Sequence, residues 1–250
     1  MISIDAFENS PARHISAKLG NFSVLEYDKV SSLAAARPDT AYYSSAMGVR
    51  KRQVIVELNG NGVIISAGAM QMMLGNVEAS TDVKGVGNML MKAMASTVTK
   101  ESAIKPKYTG HGLLVLEPTY KYILFEDLAN WGGSVTVDDG LFLACSDTAE
   151  VKTVMRSNLS SAVAGGEGLF NTAIVGQGIV ALECHLPREE LIVLDLNNDV
   201  VKIDGNNAVA WSSGLQFTVE RTTKTLIGSA ASGEGLVNVY RGTGRILVAP

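Results

Sequence analysis

Three copies of a Gly-x-Gly signature stand 66 residues apart in this chain, at Gly110–Gly112, Gly176–Gly178 and Gly242–Gly244, each running into an apolar stretch. A fixed period of this size constrains the fold more than composition does. It says that one supersecondary unit is built several times and stacked so that neighbours bury each other's apolar faces. The register extends beyond the glycines. Val135-Thr136-Val137-Asp138 lies 66 residues before Val201-Lys202-Ile203-Asp204, and Leu143-Ala144-Cys145-Ser146 the same distance before Val209-Ala210-Trp211-Ser212. Gly166-Glu167-Gly168-Leu169 returns as Gly233-Glu234-Gly235-Leu236 with a slip of one residue. The first unit keeps only the Glu, in Lys100-Glu101-Ser102-Ala103.

Within the period, short β-branched runs such as Val54–Leu58, Ile192–Leu196 and Gln216–Glu220 alternate with the turn dipeptides Asn59-Gly60, Asp139-Gly140 and Asp204-Gly205. That punctuation is the signature of strands joined by tight turns. Ser146–Met155 offers Asp147 and Glu150 as a capping box, but its repeat partner Leu215–Glu220 reads as a strand, and the strand reading is preferred. The long segment of helical composition is an insert in unit one, Lys84–Val98. The expected fold is therefore all-β: three repeats of a shortened double-stranded β-helix or jelly-roll-like unit, with one short helical insert in the first. The boundaries read as 1–52, an N-terminal extension and first strand; 53–118, unit one with its Met-rich insert at about 84–98; 119–184, unit two; and 185–250, unit three. In the extension Phe22–Tyr27 reads as a strand and Ala34–Ser45 as a polar loop.

The glycines read as hairpin-tip residues, supplying φ > 0 and close backbone approach. A phosphate loop would need the glycines to open a helix. Here they open strands, and no Gly-Lys-Ser or Gly-Lys-Thr follows. The net charge of −4 gives no footprint for nucleic acid, and the basic run Val49-Arg50-Lys51-Arg52-Gln53 reads as a solvated turn before a strand. Cys145 and Cys184 sit in apolar runs and read as small buried hydrophobes of a reducing compartment. His14, His111 and His185 have no partner at metal-ligand spacing, and His111 reads as an exposed turn residue. No Gly-x-Ser-x-Gly elbow or His-Glu-x-x-His motif occurs, so no catalytic, metal or cofactor residue is assigned and no cofactor is expected. The amino terminus reads as neither signal nor transit peptide, and the expected location is the cytoplasm.

Two groups of side chains are candidates for interaction. Met70, Met72, Met89, Met91 and Met94 form a methionine cluster, suited either to an adaptable binding surface or to core filling under the insert. The repeated carboxylates Glu101, Glu167 and Glu234 could ring a common axis or accept backbone N–H groups at a bend.

Val63–Met72 with its alanine-glycine turn, Gly75-Asn76-Val77-Glu78, and the two Gly-Glu-Gly-Leu copies followed by Gly-x-Gly resemble the altered-inheritance-of-mitochondria (mitochondrial biogenesis) family, over about residues 53–250. The resemblance implies a fold similar to the trp RNA-binding attenuation protein, homo-oligomers with trimers first, and no established catalytic residues. The resulting expectation is a non-enzymatic, self-assembling β scaffold or binding module. Its partners would be further copies of itself, with a protein or a membrane surface as other candidates. Nucleic-acid binding, by fold analogy, and a small-ligand or metal module stand as alternatives, the first disfavoured by the acidic charge.

Overall fold

The computed structural model describes residues 7–8, 10–30, 37–81, 105–155, 170–221 and 236–250, and within these the chain is almost entirely antiparallel β-sheet. The amino-terminal part forms a hairpin of β1 (Arg13–Leu19) and β2 (Phe22–Tyr27), then α1 (Pro38–Ala46). The strands β3 (Lys51–Asn59), β4 (Val63–Ile65), β5 (Met70–Ser80) and β6 (Lys107–Leu116) follow. Next come β7 (Tyr122–Asp127), the 3-10 turn η1 (Leu128–Trp131), β8 (Ser134–Val137), β9 (Phe142–Ser146), β10 (Ala149–Met155), β11 (Phe170–Gly176) and β12 (Ile179–Cys184). A second 3-10 turn, η2 (Arg188–Glu190), leads into β13 (Ile192–Asp204), β14 (Ala208–Ser212), β15 (Gln216–Arg221) and β16 (Leu236–Val248).

The first sheet curls almost onto itself. Its order β3-β6-β4-β9-β12-β7 is closed by Arg52 and Thr119, whose N–H groups each donate to the other's carbonyl at 2.7 and 2.8 Å. Closure removes strand edges, and the interior is filled by Phe22, Val54, Val56, Leu58, Leu114, Leu116 and Ala181. The β1–β2 hairpin lies outside this ring, with β2 paired to β3. The second sheet runs β10-β11-β8-β14-β16-β13. Its core joins Leu128, Trp131, Val135 and Ile174 to Val180, Leu182 and Cys184 of the first sheet. Strands β9 and β12 are thus walls between two cores: Val180 and Leu182 face one, Ile179 and Ala181 the other. This explains why Ile179–Leu182 and Leu143–Cys145 are continuously apolar rather than alternating. A third cluster is aromatic, with Trp211 stacked 5.8 Å from Phe217 and edge-on to Tyr240 at 5.3 Å.

Partners recur across the 66-residue period, with one exception. Strand β16 takes β13 along its length, the hairpin partner β15 on its first half and the short β14 on its second. The β11–β12 pair takes β8 and β7, with the hairpin partner β10 on β11 and the short β9 on β12. Strand β6 departs, with β5 along its length and β3 and β4 sharing its other side.

Several expectations need correction. The segment Ala34–Ser45 is not a loop throughout, because Pro38–Ala46 is helical. Pro38 at the helix start has its φ preset, Asp39 complements the first turn, and no residue of the helix is buried. It carries no apolar stripe for the sequence to display. The glycines do not sit at hairpin tips either, and of the three pairs only Gly176–Gly178 stands before a strand start. Gly110 and Gly112 lie inside β6, Gly242 and Gly244 inside β16, and Gly176 and Gly178 flank the break between β11 and β12. His111 is exposed as expected, but in a strand, opposite Asn59 and Asn76. The strand readings of Phe22–Tyr27 and Ser146–Met155 hold, the latter as β10 after a turn at Asp147. The helical insert at 84–98 lies outside the described residues.

Candidate functional site

Close approach is what the repeated glycines permit. A Cβ on Gly110 would run into the carbonyl oxygen of Asn76, and one on Gly112 into that of Leu74, both across the β5–β6 ladder. At Gly176 it would lie 2.5 Å from the Thr148 oxygen. Gly178 and Gly244 instead face serines, with Cβ positions 2.6 Å from Ser146 Cβ and 2.8 Å from Ser212 Cβ. Those serines are the repeated pair of the sequence. Each accepts, at 3.0 Å, the N–H of the residue after its glycine: Ile179 for Ser146 and Arg245 for Ser212.

The third Gly-x-Gly, inside β16, lines a cavity of about 540 Å³ between η1 and the strands β13, β14 and β16, with Thr243, Gly244, Arg245, Ser212, Asp195 and Trp131 in its wall. Trp131 is placed there by η1, whose first N–H groups are capped by Asp127 Oδ1 accepting from Ala129 at 2.9 Å and whose end is turned by Gly132 at φ 68°. The indole Nε1 donates to Glu126 at 3.1 Å, and Arg188 Nε reaches the other oxygen of the same carboxylate at 3.1 Å. Arg245 holds Asp195 through two bonds, 2.8 and 3.0 Å. The hydrogen bond from Arg245 keeps the Asp195 carboxyl below the usual carboxylate range; the guanidinium is raised, first by that bond and further by the charges of Asp195 and Glu126. The charged groups in its wall, Asp195 and Arg245, balance one another.

A second cavity, of about 250 Å³, lies between α1 and the end of β2, lined by Tyr27, Asp28, Lys29, Ser44, Arg50 and Tyr120. The basic run leads into it and is not a solvated turn. Arg52 is buried, its Nε bound to Glu26 at 2.8 Å and its guanidinium 4.2 Å from the Tyr122 ring centroid. Lys51 and Arg13 lie over the Tyr27 ring at 4.4 and 5.0 Å. Internal carboxylate and π-faces absorb these cations, so they make no continuous stripe for a phosphate backbone.

Of the candidate residues, Met70 is half-buried against the first-sheet core, and Met72 packs on a smaller cluster of Leu25, Ile55 and Val115. Next to Met72 in the pleat, Met73 turns outward and is 40% exposed. Met89, Met91, Met94, Glu101, Glu167 and Glu234 lie outside the described residues. Cys145 and Cys184 are free and buried as expected, with burial and the nearby Asp147 pushing the Cys145 thiol up to about 12. Among the described residues no three His, Cys, Asp or Glu converge as a metal site, and no helix is long and apolar enough to cross a membrane.

What the motifs do not announce is β13. It is 13 residues long and pairs, among the described strands, with β16 alone. Its Ile192, Val193 and Val200 are between 42% and 48% exposed. Only topology shows that no described strand covers its other side.

The comparisons agree with the resemblance read from the sequence. An uncharacterised protein of Streptococcus pyogenes serotype M6 is 29% identical over 198 residues, spanning 76% of this chain and 77% of its own length. The crystal structure of a Streptococcus pyogenes protein, 26% identical, matches with a TM-score of 0.58 over 81% of this chain and 88% of that one. The family model described as mitochondrial biogenesis AIM24 matches residues 46–250. The chain belongs to the mitochondrial biogenesis AIM24 family.

Proposed function

We propose that this protein is a non-enzymatic β scaffold that works by assembling with itself. The observation that carries the reading is the open side of β13. A long strand with an unpaired row of N–H and C=O groups and exposed apolar side chains is a template for another chain. A bulge between Leu196 and Asp199 divides the strand, with the exposed Ile192 and Val193 on one side of it and Val200 on the other. The strands that stand in β13's place elsewhere are covered: β3 by β2, and β8 by β14. We read the chain as three copies of one shortened double-stranded β-helix unit. The Ser146–Ile179 and Ser212–Arg245 contacts support this, each residue lying 66 positions from its counterpart. The different partner order around β6 makes unit one the divergent copy.

Light scattering coupled to size exclusion tests the reading directly. The expected result is a discrete multiple of the 26.4 kDa chain that persists on dilution to low micromolar concentration. A monomer at every concentration would remove it.

The cavity beside Thr243 and Trp131 favours a second reading, a small-ligand module. Its test is a ligand-detected NMR screen, with Trp131→Ala and Thr243→Ala abolishing any hit that binds there.

A further inference from the structure

We propose that the open side of β13 receives the β1 edge of a second copy of this chain, antiparallel and head-to-tail. The inference rests on the assembly reading above and names its interface. Of the strands with a free side, β5, β10 and β15 each run directly into a stretch outside the described residues. Strand β13 does not, being bounded by η2 and by the turn at Gly205. Strand β1 is likewise free of such a stretch at its β2 end, pairs with β2 only, and exposes five consecutive residues from His14 to Lys18.

Charge selects between the partners this pair of edges allows. Strand β13 carries Asp195, Asp199 and Asp204 against Lys202, with Asp195 held by Arg245 and Lys202 4.0 Å from Glu220. Strand β1 carries Arg13, His14 and Lys18 with no acid, His14 meeting Asp28 at 3.1 Å and Lys18 meeting Glu57 at 3.0 Å in exposed pairs. Pairing β13 with itself would bring acidic edges together; pairing it with β1 joins opposite signs. Asp199 and Asp204 have no ion-pair partner among the described residues, so they are open to a facing cation. The Val200 N–H donates at 2.7 Å to the side chain of Asp199, its own neighbour. There is also a precedent inside the chain. The β1–β2 hairpin already covers β3 through β2, so its outer strand would cover the corresponding strand of the next copy. All ladders among the described strands are antiparallel, and a head-to-tail contact of this kind closes into a ring when its rotation allows.

The test uses two edge variants of the full chain. Val200→Pro removes an N–H whose hydrogen-bond partner is the Asp199 side chain and breaks the edge of β13, and Ile15→Glu sets a carboxylate on β1 to repel β13. Neither residue belongs to a core cluster. Each variant alone is expected to run at the monomer mass. Mixed one to one, they are expected to give a species of two subunits and nothing larger, because each retains the edge the other lacks. Circular dichroism and the melting temperature establish that both are folded. Should either fail to fold, Val193→Lys and Ser16→Asp repeat the experiment. Loss of assembly with Val200→Pro but not Ile15→Glu would overturn head-to-tail pairing in favour of β13 with itself. If the wild type is oligomeric and both variants keep its mass, the interface is wrong and the scaffold reading stands. If the wild type is a monomer, both fall.

Discussion

Ser212 and Arg245 meet through one hydrogen bond, the serine hydroxyl accepting the arginine N–H at 3.0 Å, and Ser146 makes the same bond to Ile179. The serine stands on one strand and the amide follows a glycine on the strand beside it. The glycine is there because a side chain would displace the serine: the Cβ of an alanine at 178 would lie 2.6 Å from Ser146 Cβ and Oγ alike. Serine and glycine therefore form one device, which holds β9 against β12 and β14 against β16. Replacing either serine by alanine leaves a half-buried N–H without its partner, at about 1 kcal/mol. Gly178→Ala adds a clash and a left-handed φ of 102°, so its loss should exceed the serine's. Urea melts of Ser146→Ala, Gly178→Ala and the double variant check this. The double should cost less than the sum of the singles.

The glycines of unit one are expected to be less tolerant still. A Cβ at Gly112 meets the backbone carbonyl of Leu74, which cannot rotate away as a side chain can. Gly112→Ala should cost roughly 4 kcal/mol, combining overpacking with its φ of 152°. Gly205→Ala is the control. Its φ is 53° but no atom lies within 4 Å of the added carbon, and about 1 kcal/mol is expected. At this chain length each kcal/mol moves the melting temperature by roughly 2–4 °C, so the two variants separate clearly in a thermal scan.

How much of this could be read from the residues alone follows from what each feature depends on. The strands were legible because they carry β-branched apolar runs between Asn-Gly and Asp-Gly turns, and the serine–glycine contact is written in the sequence as a shared 66-residue offset. Helix α1 was not, because a segment that buries nothing has no apolar period. The burial of Arg52 escaped too. A buried arginine looks like any other until Glu26 and Tyr122 are brought beside it from strands 26 and 70 residues away. The open side of β13 is hidden for a deeper reason. An edge is a property of sheet order, and no local pattern distinguishes a strand with two neighbours from a strand with one.

The Arg52–Glu26 pair should matter more than an exposed one. Its side chains are only 10% and 17% exposed, and Arg52 also carries the backbone bridge to Thr119 that closes the first sheet. Removing one partner strands a buried charge. Glu26→Leu or Arg52→Met should each cost about 3 kcal/mol, and the double variant should recover much of that, since an apolar pair needs no compensating charge. A double-mutant cycle in urea measures the coupling. Additive losses would mean the pair is only a spectator of the barrel closure.

Acid should expose the Asp195–Arg245 pair. The folded carboxyl is held below its ordinary value of 3.8, so folding is favoured while the group is ionised in both states. That contribution is present above the ordinary value and disappears as pH falls through the lowered one. Glu220, held low by its hydrogen bond from Arg241, has the same sign. Both groups are largely exposed, so the effect is modest and screened by salt. Asp195→Asn should lower stability slightly at neutral pH and leave it unchanged in strong acid, so that the acid limb of a stability–pH curve below about pH 4 is flatter by the amount lost at neutral pH. An acid limb identical to wild type would show that the pair has no differential effect.

The thiols give the opposite limb. Burial, with the charge of Asp147, pushes Cys145 from 9.0 up to about 12, and burial also raises Cys184. In the unfolded chain both would ionise near 9.0, so rising pH draws protons from the unfolded state first and stability falls between that value and the folded one. Two consequences are measurable. Ellman's reagent at pH 8 should leave both thiols of the native protein untouched and titrate two per chain in guanidinium, because a buried neutral thiol offers neither access nor thiolate. Cys145→Ala should also weaken the loss of stability above pH 9, against a cavity cost of about 1 kcal/mol at neutral pH. Fast labelling of one thiol in the folded state would place that cysteine at a surface, contrary to its position in the wall between the two cores.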